Sequence, residues 1–147
     1  MKTFTQFRAE WTGKTIGSGQ CVAEIRQFLR ECCGASGTTF DWIAPGDAVS
    51  FFTGASSVHF TKVHNAPDNH PPDAAIVVAH HVSRGRDGVY RDYGHVFNSL
   101  GSTVYFLRGF GQNWTEYHEC AKEYHPHYSE YNWHVIGWLI PKVHVIL

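Results

Sequence analysis

The feature that most constrains this chain is a small-residue loop that runs directly into an amphipathic segment with a cysteine in its first turn. The loop ends at Gly17–Gly19, and Ser18 is a candidate N-cap residue. Apolar residues then recur at helical spacing, at Val22, Ile25, Phe28, Leu29 and Cys32. Gly34 follows the last of them, as is typical of a helix C-terminus. The pattern predicts one helix with a single buried face, beginning close to Cys21.

The position of Cys21 in that helix favours nucleophilic chemistry. It lies among the N–H groups that the first turn of a helix leaves unpaired, at the positive end of the helix dipole. Both effects stabilise a thiolate, which is the reactive form of cysteine. The alternative is a structural role, because a free cysteine is most often a small buried hydrophobic residue. The spacing alone leaves both roles open.

Length, composition and charge define the class of protein. Residues 1–147, of which 43% are hydrophobic and 17% charged, are typical of one globular domain with its own core. The formal charge is −1 and Lys and Arg are scattered, which argues against a nucleic-acid-binding protein. An apolar run of about 18 residues, as a membrane-spanning helix needs, is missing. Residues Met1–Arg8 lack the apolar run of a signal peptide.

The cysteines and histidines do not predict a disulfide framework or a metal site. The four cysteines are Cys21, Cys32, Cys33 and Cys120, and two of them are adjacent, so we expect all four to be reduced. Cys120 and the histidines of His125–His127 lack a second ligand pair at zinc spacing, so these histidines are interpreted as solvated. The spacing of these residues thus predicts no metal site.

The order of helical and extended patterns predicts an α+β domain. A helix is predicted over residues 3–11, and a second short one over Ala48–Phe52 with Asp47 as its cap. Strands are predicted in a run from residue 57 and at Ala75–Val82, Tyr93–Asn98, Thr103–Leu107, Trp133–Ile140 and Val143–Leu147. The segment Ser83–Asp92 is polar and predicts an exposed loop. Helices followed by antiparallel strands are typical of α+β proteins.

The strand predicted over Tyr93–Asn98 carries a candidate catalytic histidine. Alternation places Tyr93, His95 and Phe97 on one face of it. Thiol amidases and proteases need such a histidine, because the thiol proton must be taken up and the leaving amine protonated. The alternative is a hydrogen-bonded core histidine. Asn113 follows the next strand, and its amide oxygen could accept the ring N–H, as in Cys-His-Asn sites.

Four separate segments carry a resemblance to a known family. They are Gly19–Val22, Phe60–Pro67, Gly94–Val96 and Gln112–Trp114, and Val135–Pro141 is similar to the family's last core strand. Together, and in this order, they resemble the CHAP family, the cysteine- and histidine-dependent amidohydrolase/peptidases of phage lysins, tail proteins and bacterial autolysins. The resemblance implies a papain-like fold, in which the helix of Cys21 packs on a small, curved antiparallel sheet.

The resemblance also implies the members of an active site. It assigns Cys21 as the nucleophile, His95 as the base and acid, and Asn113 as the residue that orients the ring or fixes the polar network. Gln20 and the N–H of Cys21 are the implied oxyanion donors. The resemblance also implies that Trp114 and Tyr93 line the substrate groove. For Trp114 the alternative role is simple packing in the core.

Several positions depart from the family pattern. Many relatives carry an acidic residue two positions before the asparagine, where this chain has Gly111. Ala23 replaces an aspartate that often follows the cysteine, and Ala74-Ala75 replaces the Gly-Asp that starts a family strand. Residues 12–20 contain no Asp or Glu, so the calcium site of some members is not expected. These changes indicate a divergent member.

The resemblance implies a peptidoglycan hydrolase. Its expected target is an amide bond of the stem or cross-bridge peptide, or the N-acetylmuramoyl-L-alanine bond, cleaved through a thioester intermediate. The resemblance implies no metal and no organic cofactor for this reaction. The expected partner is bacterial peptidoglycan, without nucleic acid or membrane, and the protein is expected to be a monomer without a separate wall-binding domain. A phage-encoded protein, acting from the host cytoplasm or as part of the virion, fits the lack of a signal peptide.

Two other functions stay open. The absence of the acidic residue at Gly111 motivates a catalytically silent module that binds the cell wall or has a structural role in the virion. A different thiol chemistry on the same fold, such as amide ligation or protein deamidation, shares the acyl-enzyme step and differs only in the acceptor.

Overall fold

Helices occupy the first part of the chain and strands the second. The structure, a computed structural model, describes residues 1–114, 119–125, 128–130 and 133–147. The helices are α1 (Phe4–Trp11), α2 (Cys21–Cys33) and α3 (Phe51–Gly54), and a 3₁₀ turn at Ala48–Ser50 precedes α3. The strands are β1 (Phe60–His64), β2 (Ile76–Arg84), β3 (Tyr90–Asp92), β4 (His95–Ser99), β5 (Leu107–Gly111), β6 (Ala121–His125), β7 (Ser129–Glu130) and β8 (Trp133–Pro141).

The strands form one antiparallel sheet. Its order is β1-β8-β2-β4-β5-β6, with β3 paired to β2 and β7 paired to β8. Every strand pair that the structure describes is antiparallel. The helices precede this sheet and α2 packs on β4. The predicted α+β class is therefore confirmed.

The start of α2 differs from its prediction by two residues. The helix begins at Cys21, with Gln20 in the extended N-cap position, so Ser18 is not the cap. Gly19 donates its N–H to the carbonyl of Ile16 at 2.9 Å, and this turn places Ser18 on the surface before the helix begins. The predicted C-terminus is confirmed, because Gly34 adopts φ +79° there.

The predicted first helix is confirmed, whereas the predicted last strand is wrong. Helix α1 begins with a capping box between Thr3 and Gln6. Residues 143–147 form no strand. Their last two carbonyls, of Ile146 and Leu147, accept the N–H groups of Phe4 and Thr5 at 2.7 and 3.1 Å. The end of the chain satisfies donors that the first turn of α1 leaves unpaired, which takes the place of strand pairing.

Both faces of the central strand β2 are buried over its first four residues, whereas the rest of the strand is exposed or partly exposed. Ile76 and Val78 pack in the cluster that includes the buried face of α2, while Val77 and Ala79 belong to a second cluster on the other face. This explains the continuous apolar run that predicted a buried strand. The strand extends to Arg84, so the predicted loop Ser83–Asp92 is partly wrong: its ends are strand.

The hairpin of β4 and β5 is present, but its second strand begins later than predicted. Asn98 pairs with Phe110 and Ser99 with Gly109. The predicted strand Thr103–Leu107 is wrong, because Thr103 closes a turn instead: its N–H donates to the carbonyl of Phe106 at 2.8 Å. Its hydroxyl accepts the N–H of Phe106 at 3.1 Å, and β5 starts only at Leu107.

Two further predictions concern short segments. Asp47 occupies the N-cap position of the 3₁₀ turn, as predicted, but its side chain makes no cap hydrogen bond. Pro126 and His127 lie outside the described residues, so the predicted histidine-rich loop stays a prediction. Among the residues that the structure describes, no helix has both the length and the apolar character needed to cross a bilayer.

Candidate active site

A cavity of about 840 Å³ lies at the N-terminal end of α2. All six residues that the sequence predicts for the site line it: Gln20, Cys21, Tyr93, His95, Asn113 and Trp114. They come from three parts of the chain that are far apart in sequence, and the fold brings them to one space. Their chemical roles stay predictions, since what the structure supplies is their common location.

Cys21 differs from the other cysteines in its surroundings. It is the first residue of α2 and lines the cavity, with 6% of its surface exposed. Cys32, Cys33 and Cys120 are buried away from the cavity, and burial raises the pKa of each thiol to about 12. Those three thiols stay protonated at neutral pH, and Cys21 is the only one of the four cysteines, all of which the structure describes, that lines the cavity.

His95 is the first residue of β4 and is held among aromatic rings. Its ring centroid lies 4.8 Å from that of Trp114, 5.8 Å from Phe97 and 6.0 Å from Trp133, and only 3% of the residue is exposed. These rings exclude water from one side of the imidazole. Trp114 is itself half-buried and lines the cavity, so it combines packing with contact to the site.

Gly94 separates Tyr93 from the strand of His95. Gly94 adopts φ +71°, and a β-carbon there would overlap the backbone of Val49. The N–H of Val49 donates to the carbonyl of Tyr93 at 3.1 Å, which fixes this turn. Since β4 begins at His95, the strand alternation that placed Tyr93 on its face does not apply. Tyr93 nevertheless lines the cavity, and its hydroxyl accepts a hydrogen bond from Nη1 of Arg91 at 3.1 Å.

Asn113 joins the site through Gln20. It lies two residues after the end of β5 and has φ +59°, and its Nδ2 donates to Oε1 of Gln20 at 2.8 Å. With its oxygen occupied, the Gln20 amide keeps its NH₂ group as a donor beside Cys21. This hydrogen bond joins two of the predicted site residues, and the role of Asn113 in the reaction stays a prediction.

Sequence reasoning missed Gln112 as a positioning residue. Gln112 is 1% exposed, and its side chain forms hydrogen bonds with the loop before Cys21, an arrangement that we call the Gln112 clamp. Oε1 accepts the N–H of Ile16 at 2.9 Å, and Nε2 donates to the carbonyls of Ile16 at 2.9 Å and Gln20 at 2.8 Å. The adjacent Asn113 was recognised, but a buried glutamine has no sequence signature, since its partners are backbone groups more than ninety positions away.

Replacing Gln112 with leucine is expected to loosen this loop. Three buried hydrogen bonds are lost at nearly constant volume, so we expect the free energy of unfolding to fall by about 3 kcal/mol. Urea unfolding measures the change, and Gln27→Leu on α2 is the matched control because Gln27 lies outside the cavity. If the Gln112→Leu variant has the same free energy of unfolding as the wild type, the Gln112 clamp does not stabilise the loop.

His81 is a second cavity residue that the sequence did not assign. The neighbouring His80 is exposed, and its Nδ1 lies 2.6 Å from Oδ2 of Asp92, while His81 lines the cavity. Burial lowers the pKa of His81, and the charge of His95 lowers it further, against an opposing effect of Asp92. His81 is therefore held mainly neutral at neutral pH.

Metal ligands do not gather in the described part of the chain. Over residues 1–114, 119–125, 128–130 and 133–147, no three His, Cys, Asp or Glu side chains come together as a metal site would require.

Comparison with known proteins identifies structural neighbours only. No family model matches the chain, and no curated protein matches it. The crystal structure of Ly7917 matches with a TM-score of 0.62 and 20% identity over 92% of this chain. A structure of Ly7917 with the hydrolyzing product of MDP matches with a TM-score of 0.62 and 19% identity. The chain spans 58–59% of the length of these neighbours, so the likeness is one of fold.

Proposed function

We propose that this chain is a CHAP-type cysteine hydrolase that cleaves an amide bond in the peptide part of bacterial peptidoglycan. The observation that carries the proposal is one cavity lined by Cys21 at the start of a helix and His95 at the start of a strand. Gln20 and Asn113, joined by a hydrogen bond, line the same cavity. A thiol, an imidazole and fixed amide donors are the groups that acyl transfer needs.

In the proposed reaction His95 takes the proton of the Cys21 thiol, and Sγ attacks the scissile carbonyl carbon. The C–N bond then breaks, His95 protonates the leaving amine, and a thioester remains. Water attacks the thioester with His95 as base, which releases the acid and restores the thiol. The N–H of Cys21 and the Gln20 amide are the oxyanion donors, and such donors contribute about 3 kcal/mol each.

The packing around the cavity supports this mechanism. Trp114 lies against His95 and Trp133, with ring centroids 4.8 Å apart in each pair. This contact fixes the imidazole and excludes water from one side of it, which strengthens electrostatic interactions at the reacting groups. The Gln112 clamp holds the loop that carries Gln20, so the oxyanion donors are in place before substrate arrives.

The substrate class is supported by the fold likeness. The neighbour Ly7917 has a structure with the hydrolyzing product of MDP, and we read MDP as muramyl dipeptide, a fragment of peptidoglycan. The resemblance of the four sequence segments to CHAP hydrolases supports the same class. The fold likeness and the sequence resemblance both support a muramyl peptide or a cross-linked stem peptide as the substrate.

Digestion of purified peptidoglycans from several wall types tests the function. Wild-type protein is expected to release soluble fragments that the matched Cys21→Ala variant does not release. Mass spectrometry of the fragments identifies the bond, because an endopeptidase frees a new peptide amine and an amidase separates peptide from glycan. If neither protein releases fragments and both sediment with one wall type, the hydrolase proposal is wrong and a wall-binding module replaces it.

A further inference from the structure

One wall of the cavity is a projecting hairpin that we call the basic arm, residues 83–93. It consists of the end of β2, a turn and β3. The turn is closed by the N–H of Gly85 donating to Val89 at 2.9 Å and that of Gly88 donating to Gly85 at 3.0 Å. A β-carbon on Gly85 would overlap the Tyr93 hydroxyl, so the arm lies directly against a cavity residue.

The acidic groups of the basic arm are already paired. Asp87 and Arg91 form a two-point ion pair, with guanidinium nitrogens 2.8 and 3.1 Å from the two carboxylate oxygens. This pair holds the pKa of Asp87 below its usual range. Asp92 accepts the backbone N–H of His81 at 2.9 Å and bonds His80. These carboxylates fix the shape of the arm and do not neutralise its remaining cations.

Two arginines of the basic arm are left for a ligand. Arg84 and Arg86 are exposed and line the cavity, and neither guanidinium forms a hydrogen bond or ion pair with a residue in the described ranges. The cavity is lined by three arginines, Arg84, Arg86 and Arg91, and by two aspartates, Asp47 and Asp87, which gives it a charge of +1. The whole chain has a formal charge of −1, so the positive charge is concentrated at the site.

We propose that Arg84 and Arg86 form a carboxylate-binding subsite, which makes the preferred substrate a peptide with free carboxylates next to the scissile amide. This inference rests on the proposed function. A guanidinium presents a planar fork that pairs with a carboxylate through two charge-assisted hydrogen bonds, and a carboxamide cannot replace that interaction. The subsite therefore discriminates between stem peptides whose carboxylates are free and those whose carboxylates are amidated.

The test compares two synthetic muramyl tetrapeptides that differ only in that the carboxylates of one are converted to carboxamides. Binding is measured by calorimetry with the Cys21→Ala variant, so that turnover does not interfere. We expect the carboxylate peptide to bind about tenfold more tightly, as one charge-assisted pair would give. Adding Arg84→Gln and Arg86→Gln should bring the ratio of the two affinities close to one. Lys14→Gln removes a positive charge outside the cavity and should leave the ratio unchanged.

The outcomes separate the subsite from the proposed function. Equal binding of the two peptides, or no binding of either, overturns the subsite. An affinity ratio that survives the double substitution also overturns it. Discrimination that depends on the two arginines supports the subsite even if wild-type protein cleaves neither peptide, a result that counts against the hydrolase proposal alone. If both peptides bind equally well and are cleaved at equal rates, the hydrolase proposal stands and the subsite proposal is wrong.

Discussion

Iodoacetamide is expected to modify Cys21 alone among the four cysteines and to stop turnover at one label per chain. Cys21 lines the cavity at the start of α2, whereas burial raises the pKa of the other three thiols to about 12 and keeps them protonated. Alkylation needs the thiolate, so its rate reports this difference directly. Peptide mapping by mass spectrometry locates the label, and residual hydrolysis of peptidoglycan measures the loss.

The matched substitution is Cys21→Ala, which is expected to lower kcat by a factor on the order of 10⁶, as loss of the nucleophile does in a triad hydrolase. Cys33→Ala is the control, since Cys33 is buried on α2 and does not line the cavity. It should retain turnover and remain sensitive to iodoacetamide. Labelling at Cys32, Cys33 or Cys120 in the folded protein, or full activity after Cys21 is labelled, would show that another group carries the reaction.

Substitution of His95 with glutamine is expected to lower kcat/KM by about 10³-fold, within the range for loss of a general acid–base. Glutamine can fill the space between Trp114 and Phe97 without taking up a proton at neutral pH, so the fold should persist. The alkylation rate of Cys21 should fall as well, because His95 is the group that accepts the thiol proton. Steady-state kinetics and the iodoacetamide rate measure the two effects.

His144→Gln is the control for the His95 substitution. His144 is exposed near the end of the chain and lies outside the cavity. Circular dichroism of both variants checks that the secondary structure is unchanged. A His95→Gln variant with normal kinetics would assign His95 to the aromatic core and would direct attention to His81, the other histidine of the cavity.

Local patterns predicted the parts of this fold that depend on local interactions. The buried face of α2 follows from apolar residues at helical spacing, and Gly34 ends the helix because it accepts a positive φ. The apolar run of β2 predicted a strand covered on both faces. The same patterns placed Cys21 at the start of a helix and Asn113 after a strand, and both residues line the cavity. His95 was predicted inside a strand, whereas in the structure it begins one.

Long-range backbone pairing decided the parts that the sequence did not predict. Residues 143–147 have an extended, apolar character, but the unpaired N–H groups of α1 bind their last carbonyls. Thr103 has strand propensity, yet its hydroxyl closes a turn that delays β5. The basic arm looked like a polar loop because Ser83–Asp92 has no apolar face. Its strand pairing depends on register with β2, which local composition does not encode.

The Gln112 clamp also determines when, during synthesis, the loop before Cys21 is anchored. The loop before Cys21 finds its hydrogen-bond partner 92 to 96 positions later in the chain. During synthesis α2 can form early, but the backbone beside its thiol has no anchor until β5 is complete and Gln112 has left the ribosome. A nascent chain therefore carries a cysteine whose neighbouring loop is not yet anchored, and the loop takes its final position only after five of the eight strands that the structure describes have been made.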